Sequence, residues 1–508
     1  MSMADVVALG PVRTRVRPSR SSGALRRRTG GRVAGWWGLW LVLGVGAALR
    51  VADLLSYPRA LMLWGDSYLY LNDAARLHPS GQHPLGYPLF LAALRPFGSL
   101  IVVPVMQHLL GLGLGIGSYL LLRRLGVRRA LAVLGAAPVL LDPYQIQLEQ
   151  FVLAETWTSV LLLAAVALVL VPARPSAAVC AAGGALLAVA TLSRTVAGVV
   201  LVPLLAAAVN SRWGWRRPAV LTGTAVLPLL VYAVWFHSFY GQYGLDNLGN
   251  RALYGRTATI ADCARLQLPA VERRLCDPAP RAARKTPNFY AWEASPLNIG
   301  HFPRGVRPLA LAGSFSKHVI EQQPLSYARL VVDDLAHYVG VDRVSGRDDW
   351  PVAAWQQQPT IYPRRWHVLL GPASFAARKF PSARALPAQQ RAHGPILWLR
   401  AYQRHIYVPG WSVALAGLLG LLSAARFRPA GGRHPQVRLR IFTAVTAAST
   451  LLLVAVPALF VPFDFRYLLP AQLLAGPALV GAFELWRSER GRVRTGPPLR
   501  RRPATATS

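Results

Sequence analysis

A polar segment at residues 64–90, between two long apolar runs, carries acidic and aromatic residues that could do chemistry. If the chain is helical from Ser67 onward, Asp66, Tyr70 and Asp73 fall on one face, since positions three, four and seven apart lie above one another. Two carboxylates that point the same way could serve as general bases, which take a proton from an attacking group. The alternative is an amphipathic loop on a membrane surface, in which Asp66 only caps the helix that follows.

Proline and polar rings alternate in the second half of this segment. Prolines at 79, 84 and 88 stop a regular helix, and a second short element is predicted to start near Leu89. The residues directly before these prolines are His78, His83 and Tyr87. Two short helices joined in this way would form the roof of a polar pocket.

The composition is that of a membrane protein rather than a soluble enzyme. The 508 residues are 53% hydrophobic and only 15% charged, and several long apolar runs are present. A net charge of +35 could suggest nucleic acid, but the arginines form short clusters between apolar runs instead of a basic face on a soluble domain. Such clusters suit the cytoplasmic side of a membrane protein, so no nucleic-acid partner is expected.

The apolar runs predict an all-α polytopic membrane protein with ten transmembrane helices, with short juxtamembrane helices in the first outer loop. The predicted spans lie at about 36–54, 99–122, 130–141, 151–171, 177–190, 196–209, 218–236, 406–424, 441–460 and 468–486. Around them we predict a disordered basic cytoplasmic tail at 1–35, a transmembrane core at 36–236, a large extracytoplasmic loop or domain at 237–405, C-terminal transmembrane helices at 406–486 and a basic cytoplasmic tail at 487–508.

Charge asymmetry sets the predicted orientation. With a cytoplasmic N-terminus, every short connection on the inner side contains arginine, as the positive-inside rule requires. Of the 21 acidic residues, only Asp5, Glu484 and Glu489 then lie in cytoplasmic or tail regions. The other acids are predicted to lie outside or near the outer membrane face, which places the polar segment at 64–90 on the extracytoplasmic side.

Four charged residues are predicted at membrane depth, where charge is costly and usually marks function: Arg50, Glu155, Arg194 and Arg466. Each has a simpler interpretation. Arg50 could extend to the interface, Glu155 could begin a helix where negative charge is favoured, and Arg194 could close a turn. Together with Asp66, however, these residues would supply both a base and a clamp for phosphate.

The three cysteines include a pair, Cys263 and Cys276, in one polar segment, and these are expected to form a disulfide if the segment faces an oxidising compartment. The sequence contains no CxxC, HExxH or DxD spacing for a metal and no GxGxxG or Walker loop for a nucleotide. We therefore expect no metal and no cofactor. The energy for a reaction must come with the substrate.

Four motifs in order resemble the polyprenyl-phosphate-dependent GT-C glycosyltransferases, which include protein O-mannosyltransferases and lipid A aminoarabinose transferases. The motifs are GDSYLY at 65–70, HPLGYP at 83–88, DPYQIQLEQFVLAET at 142–156 and FDFRYLLP at 463–470. The resemblance covers residues 36 to about 240 and 440–486, whereas 241–405 contains no recognisable motif. It implies a membrane enzyme that moves a hexosyl or pentosyl group from a lipid phosphate to an extracytoplasmic acceptor. The acceptor stays open among a protein, a glycolipid, a glycan and a natural product.

The resemblance also implies roles for individual residues. Asp66 corresponds to the catalytic base, as an inverting transfer requires a carboxylate that takes the proton of the acceptor hydroxyl. Cationic groups should stabilise the departing lipid phosphate. The residues assigned to substrate or phosphate binding are His83, Tyr87, Arg194, Arg466 and Tyr467, and those assigned to support are Arg50, Asp142, Glu149 and Glu155.

Two positions depart from the family pattern. Ser67 follows Asp66 where the family often has a second acid, so that acid is either missing or moved to Asp73. Some relatives carry lysine near the position of His83, and a neutral histidine would bind phosphate less well. These departures put the roles of Asp73 and His83 in doubt.

Other functions remain open at this stage. A secondary transporter or lipid flippase would also have many spans, although such folds often show an internal repeat that this sequence lacks. A glycan polymerase or ligase with a polyprenyl-diphosphate donor would share the membrane and the compartment, and would differ in the number of cations at the donor site. A purely structural membrane protein would leave the outer acids unexplained.

Overall fold

Apolar helices make up most of the fold in a computed structural model of the protein, which describes residues 37–361, 390–426 and 434–494. The predicted tail at 1–35 and the end of the predicted tail at 487–508 lie outside the described residues. In the first half of the chain the α-helices are Trp37–Ser56, Trp64–Arg76, Gly86–Leu94, Val102–Arg124, Arg129–Leu141, Pro143–Gln150, Glu155–Leu170, Ala177–Ser193, Leu201–Asn210, Arg216–Tyr240 and Leu248–Ile260.

The second half continues with shorter helices and ends in long ones. Its α-helices are Pro287–Trp292, Pro296–Ile299, Pro308–Gln322, Pro324–Tyr338, Ile396–His405, Gly410–Arg426, His434–Phe460 and Leu468–Arg494. Short 3-10 helices lie at Arg95–Phe97, Thr195–Val200, Glu272–Leu275, Arg281–Ala283, Val352–Trp355 and Phe465–Tyr467. Two antiparallel strands of two residues each, Thr360–Ile361 and Gln390–Arg391, form the β-structure of the described residues.

Each predicted span coincides with a helix, but fewer than ten helices are suited to cross a membrane. By length and composition five described helices qualify, and up to seven if two bent pairs each count as one span. Those bent pairs are Arg129–Leu141 with Pro143–Gln150, at 45°, and Ile396–His405 with Gly410–Arg426, at 48°. The chain therefore has the helices of a multi-pass membrane protein.

The remaining three apolar segments, Glu155–Leu170, Ala177–Ser193 and Thr195–Asn210, are shorter. At about 1.5 Å per residue, helices of 16 or 17 residues reach roughly 24–26 Å, less than the roughly 30 Å of a bilayer core. The predicted count of ten spans is thus not confirmed. Hydropathy located the helices, and their lengths limit how many can cross.

Glycines in helix Val102–Arg124 let its neighbouring helices approach closely. A Cβ atom on Gly111 would lie 2.1 Å from Oε1 of Glu149, and one on Gly115 would lie 2.3 Å from Cδ2 of Leu140. A side chain at either glycine would therefore push helix Val102–Arg124 away from its neighbours Arg129–Leu141 and Pro143–Gln150. Gly113 differs, because no atom lies within 4 Å of its Cβ position.

A buried ion pair joins the first helix to the segment Pro143–Gln150. The Nε and Nη2 atoms of Arg50 donate to the carboxylate of Glu149 at 2.8 and 3.0 Å, and Nη1 of Arg50 donates to the carbonyl of Leu140 at 2.8 Å. His108 and Gln145 complete the carboxylate's contacts, each at 2.9 Å. Arg50 is only 2% exposed, so it does not extend to the interface.

Glu149→Gln is expected to destabilise the protein strongly, because it leaves the Arg50 guanidinium buried without its counter-ion. Removing one partner of a buried pair typically costs about 3–5 kcal/mol. Thermal unfolding of the purified protein should show a large drop in Tm. The matched control is Glu321→Gln, which breaks an exposed pair with Lys317 and should hardly change the Tm. Equal Tm values for the two variants would contradict the role assigned to this pair.

Residues after 241 form a second apolar cluster. Tyr254, Leu275 and Phe315 are fully buried there, and Cys263 is disulfide-bonded to Cys276 with a Cα–Cα distance of 6.1 Å. Arg256 ties this cluster to the end of the long helix His434–Phe460. It donates to the carbonyls of Val461 and Ala458 at 2.6 and 2.9 Å, and it forms an ion pair with Asp334. The predicted outer domain at 237–405 and its extracytoplasmic placement stay predictions.

Candidate active site

Helix Trp64–Arg76 carries Asp66 in its first turn. Ser67 fixes the start of this helix, because its hydroxyl accepts from the backbone N–H of Leu63 at 2.8 Å and donates to the carbonyl of Val152 at 2.9 Å. Leu61 makes two backbone hydrogen bonds of 3.0 Å with the segment around Val152. Its N–H donates to the carbonyl of Gln150, and its carbonyl accepts from the N–H of Val152. Ser67 thus holds Asp66 beside the start of helix Glu155–Leu170.

Asp66 lies in a cluster of charges that come from distant parts of the sequence. Its Oδ2 accepts from Nη1 of Arg466 at 2.7 Å, and Nε2 of His83 lies 3.6 Å from its Oδ1. Asp464 contributes a further carboxylate, since its Oδ2 lies 2.8 Å from Nε of Arg466. The side chain of Asp66 is 29% exposed and that of Arg466 12%, so the pair is reachable from solvent.

A second guanidinium adjoins this cluster. Nη1 of Arg194 lies 3.0 Å from Oε1 of Glu155, and the same oxygen is 3.9 Å from Nε of Arg466. The centroid of the Tyr467 ring lies 5.0 Å from the guanidinium carbon of Arg194 and 5.2 Å from that of Arg466. Glu155 therefore holds both arginines in one place rather than merely beginning a helix.

Aromatic rings line the cluster on the side of the first loop. The ring of Tyr70 stacks on His83 with 4.2 Å between centroids and meets the edge of Tyr87 at 4.9 Å. The hydroxyl of Tyr87 donates to Oε1 of Gln107 at 2.9 Å. Tyr87 is fully buried and acts through Tyr70, which fixes the plane of the His83 imidazole.

Electrostatics keep Asp66 ionised. Burial raises the pKa of its carboxyl, but the Arg466 guanidinium, helped by the nearby His83 ring, outweighs burial and brings the pKa well below its usual range. In this arrangement Asp66 is a carboxylate at any working pH. It is a weak base for as long as Arg466 stays on it.

Asp73 shares a helix with Asp66 but has different surroundings. Seven residues on, it lies about 10 Å further along the axis, and it is 4% exposed. Burial raises the pKa of Asp73 to about 6, although Ser80 and the charges of His83 and His78 act in the opposite direction. The structure therefore does not bring the two carboxylates together as a pair.

Asp73→Asn should stabilise the folded protein above pH 6. The pKa of Asp73 is about 6 in the folded state and about 3.9 when unfolded, so ionisation penalises the folded state progressively between pH 4 and 6 and fully above. Removing that carboxylate should raise the free energy of unfolding by about 2–3 kcal/mol at pH 7.5 and leave it unchanged near pH 3.5. Tm measured across this pH range tests the prediction. Asp333→Asn, the same change at an exposed position, should show no such pH dependence.

Other predicted residues have structural partners away from the cluster. Asp142 caps helix Pro143–Gln150, since its Oδ1 accepts from the backbone N–H of Tyr144 at 2.8 Å, and its Oδ2 accepts from the N–H of Val408 at 2.8 Å. Arg50 and Glu149 belong to the buried ion pair described above. Cys263 and Cys276 lie in the disulfide of the second apolar cluster. These residues support the fold around the site.

The motifs did not single out Trp355, whose ring centroid lies 5.5 Å from the Arg466 guanidinium carbon. It comes from the part of the chain without a recognisable motif, where no signal could have found it. Asp464, by contrast, stands in the quoted FDFRY motif next to Arg466. No group of three or more His, Cys, Asp or Glu side chains that could hold a metal ion occurs among residues 37–361, 390–426 and 434–494.

No family model and no curated protein matches the chain. Among solved structures, the oligosaccharyltransferase of Archaeoglobus fulgidus in its apo form has 15% identity and a TM-score of 0.37, with 91% of this chain and 53% of that chain covered. The same archaeal AglB in complex with an inhibitory peptide and a dolichol-phosphate has 15% identity and a TM-score of 0.37, with coverage of 90% and 52%. ArnT from Cupriavidus metallidurans has 15% identity and a TM-score of 0.32, with coverage of 89% and 78%.

The chain spans about half the length of the archaeal structures that it matches. At TM-scores of 0.37 and 0.32 the superposed parts differ too much for these structures to establish the fold or the activity of this protein. Its function has to be argued from its own residues.

Proposed function

We propose that this protein is a membrane glycosyltransferase of the GT-C type, which moves a sugar from a polyprenyl-phosphate donor to a hydroxyl of an extracytoplasmic acceptor with inversion. The observation that carries the proposal is the cluster of Asp66 with Arg466, Arg194 and His83. Arg466 and His83, from separate segments, lie at this partly exposed carboxylate, and Arg194 is paired with the adjoining Glu155. A base and a phosphate clamp are the two parts that this reaction needs.

In the proposed reaction the acceptor oxygen attacks the anomeric carbon while Asp66 takes the proton of the acceptor hydroxyl. The bond between the anomeric carbon and the phosphate oxygen breaks, and its electron pair stays on the polyprenyl phosphate. Arg466 and Arg194 stabilise the charge that develops on this leaving group. The carboxylate and the cations thus act at opposite ends of one displacement.

Donor binding has to change the partner of Arg466. In the structure its Nη1 is 2.7 Å from Asp66, and a phosphate would compete with that carboxylate for the guanidinium. Once Arg466 turns to the phosphate, Asp66 loses the group that most lowers its pKa and becomes a stronger base. The base would then be active only when the donor is in place.

Lipid-facing helices beside the site fit a polyprenyl donor. Helix Arg216–Tyr240 exposes a stripe of apolar side chains, with Leu227, Val231 and Val234 each more than 60% exposed. Large exposed apolar stripes on a long helix are suited to contact with lipid chains. The polyprenyl chain of the donor could pack against this stripe.

A glycan polymerase or ligase with a polyprenyl-diphosphate donor is the second candidate. It is favoured by the two guanidinium groups that lie 5.0 and 5.2 Å from the centroid of the Tyr467 ring, because a diphosphate carries enough charge to engage both. The two candidates share the base and the acceptor chemistry. They differ in the lipid product, which is a monophosphate in the first case and a diphosphate in the second.

Membranes that contain the protein should release labelled sugar from radiolabelled polyprenyl-phosphate mannose or polyprenyl-phosphate arabinose. A third arm with a labelled polyprenyl-diphosphate sugar separates the two candidates. Membranes with the Asp66→Asn variant at equal protein level are the control for other transferases. If none of the three lipids loses label above this control, the proposed function is wrong.

A further inference from the structure

A cavity of about 360 Å³ lies beside the far end of helix Trp64–Arg76, away from Arg466. It is bounded by that helix and the loop after it on one side, and by the start of helix Leu248–Ile260 on the other. Its size falls within the range of small-molecule sites, which is about 300–1,000 Å³. The reaction proposed above makes no use of this cavity.

The cavity contains a buried polar atom without a partner. Asp73 lines it and is 4% exposed, and its Oδ2 has no hydrogen-bond partner within the described part of the chain. A buried carboxylate oxygen without a donor costs free energy, so its retention points to a bound group that supplies one. The carboxylate is an acceptor only, which means that the missing partner is a donor.

The other side chains of the cavity restrict the charge of that partner. Arg76 and Arg251 also line it and disfavour a cation, and the Asp73 carboxylate offsets part of their positive charge. The amides of Asn72 and Asn247 can both donate and accept. A neutral molecule with several hydroxyl groups satisfies the whole set.

An aromatic wall supports this assignment. The ring of Tyr240 lines the cavity, and Gly81 lies so near it that a Cβ atom on the glycine would be 3.3 Å from Cε1 of the ring. The carbonyl of Gly81 also accepts from the backbone N–H of Asn247 at 3.0 Å, which joins the two sides of the cavity. An aromatic side chain beside carboxylate and amide groups is suited to a sugar, which has apolar C–H groups as well as hydroxyls.

We infer that this cavity is a carbohydrate subsite, which holds a non-reacting sugar ring of the acceptor while a neighbouring hydroxyl reaches Asp66. His83 connects the two places, because it lies 3.6 Å from Asp66 and directly follows Gly81 and Gln82, which line the cavity. The assignment to the acceptor rests on the proposed function, whereas sugar binding by the cavity does not. A sugar subsite for the acceptor means that the acceptor is a glycan or a glycolipid, rather than a protein or a natural product.

Binding of methyl α-D-mannopyranoside and methyl β-D-glucopyranoside to the full chain tests the inference. The protein is placed in lipid nanodiscs, since maltoside detergents would themselves compete, and binding is followed by saturation-transfer NMR. We expect saturable binding of at least one glycoside in the millimolar range. Asp73→Asn should weaken it about tenfold or more through loss of a charge-assisted hydrogen bond, whereas the exposed Asp333→Asn should leave it unchanged.

Three results would overturn the subsite: no saturable binding up to about 100 mM glycoside, equal binding by wild type and Asp73→Asn, or saturable binding of inorganic phosphate in place of either glycoside. Gln82→Leu, a second change in the cavity lining that leaves the charges unaltered, should weaken glycoside binding as well. The measurement uses no donor lipid. A failed transfer assay with intact glycoside binding would therefore reject the proposed function alone, and the reverse pattern would reject the subsite alone.

Discussion

Asp66→Asn should lower sugar transfer by about 100- to 10,000-fold, the usual cost of removing a general base. Asparagine keeps the shape of the side chain, but it cannot take the proton of the acceptor hydroxyl. The protein level should not change, because Arg466 keeps Asp464 and Glu155 as counter-ions. The measurement is the initial rate of label transfer from polyprenyl-phosphate sugar by purified protein at matched concentration.

Asp464→Asn is the matched control for this prediction. Asp464 also contacts Arg466, at 2.8 Å, but its side chain is only 5% exposed and has no route to an acceptor. Loss of either carboxylate removes one counter-ion of Arg466, and only loss of Asp66 removes the base. Equal rates for the two variants would show that the effect comes from the state of Arg466. Near-normal transfer by Asp66→Asn would move the search for a base to Glu155.

The local elements of the fold follow from sequence periodicity and turn residues. Apolar runs marked every helix that could cross a membrane, and the prolines at 79, 84 and 88 correctly separated helix Trp64–Arg76 from helix Gly86–Leu94. The number of spans does not follow in the same way. Hydropathy cannot tell a short apolar helix such as Glu155–Leu170, buried against its neighbours, from one that crosses a bilayer.

The composition of the site could be predicted only as a set of residues on one side. Charge asymmetry placed Asp66, Arg194 and Arg466 in the same compartment, but nothing in the sequence pairs two residues that lie 400 positions apart. Helical spacing put Asp73 on the face of Asp66 without indicating that it is buried in a separate cavity. The environment of each side chain in the site depends on tertiary packing, and a single sequence does not specify which segments pack together.

Arg466→Gln should reduce transfer by about 100- to 1,000-fold, as expected when a group that stabilises developing charge is lost. The loss exceeds that of one contact, because Asp66, Asp464 and Glu155 would then face the donor phosphate with less positive charge between them. Much of the loss should therefore appear as weaker donor binding. Arg466→Lys should recover only part of it, since an ammonium cannot bridge two carboxylates and a phosphate with a planar fork of donors.

Donor KM and kcat, measured separately, distinguish this role from a structural one. A phosphate-binding Arg466 predicts a raised donor KM together with a lowered kcat for Arg466→Gln, and the Tm should also fall, because Asp464 and Glu155 are left buried without this counter-ion. Arg265→Gln is the control, because Arg265 forms an exposed pair with Asp262 and should change neither constant. A Tm that falls sharply with an unchanged donor KM would assign Arg466 to the fold. In that case Arg194, which contacts Glu155 and lies 5.0 Å from the centroid of the Tyr467 ring, becomes the residue to test for phosphate binding.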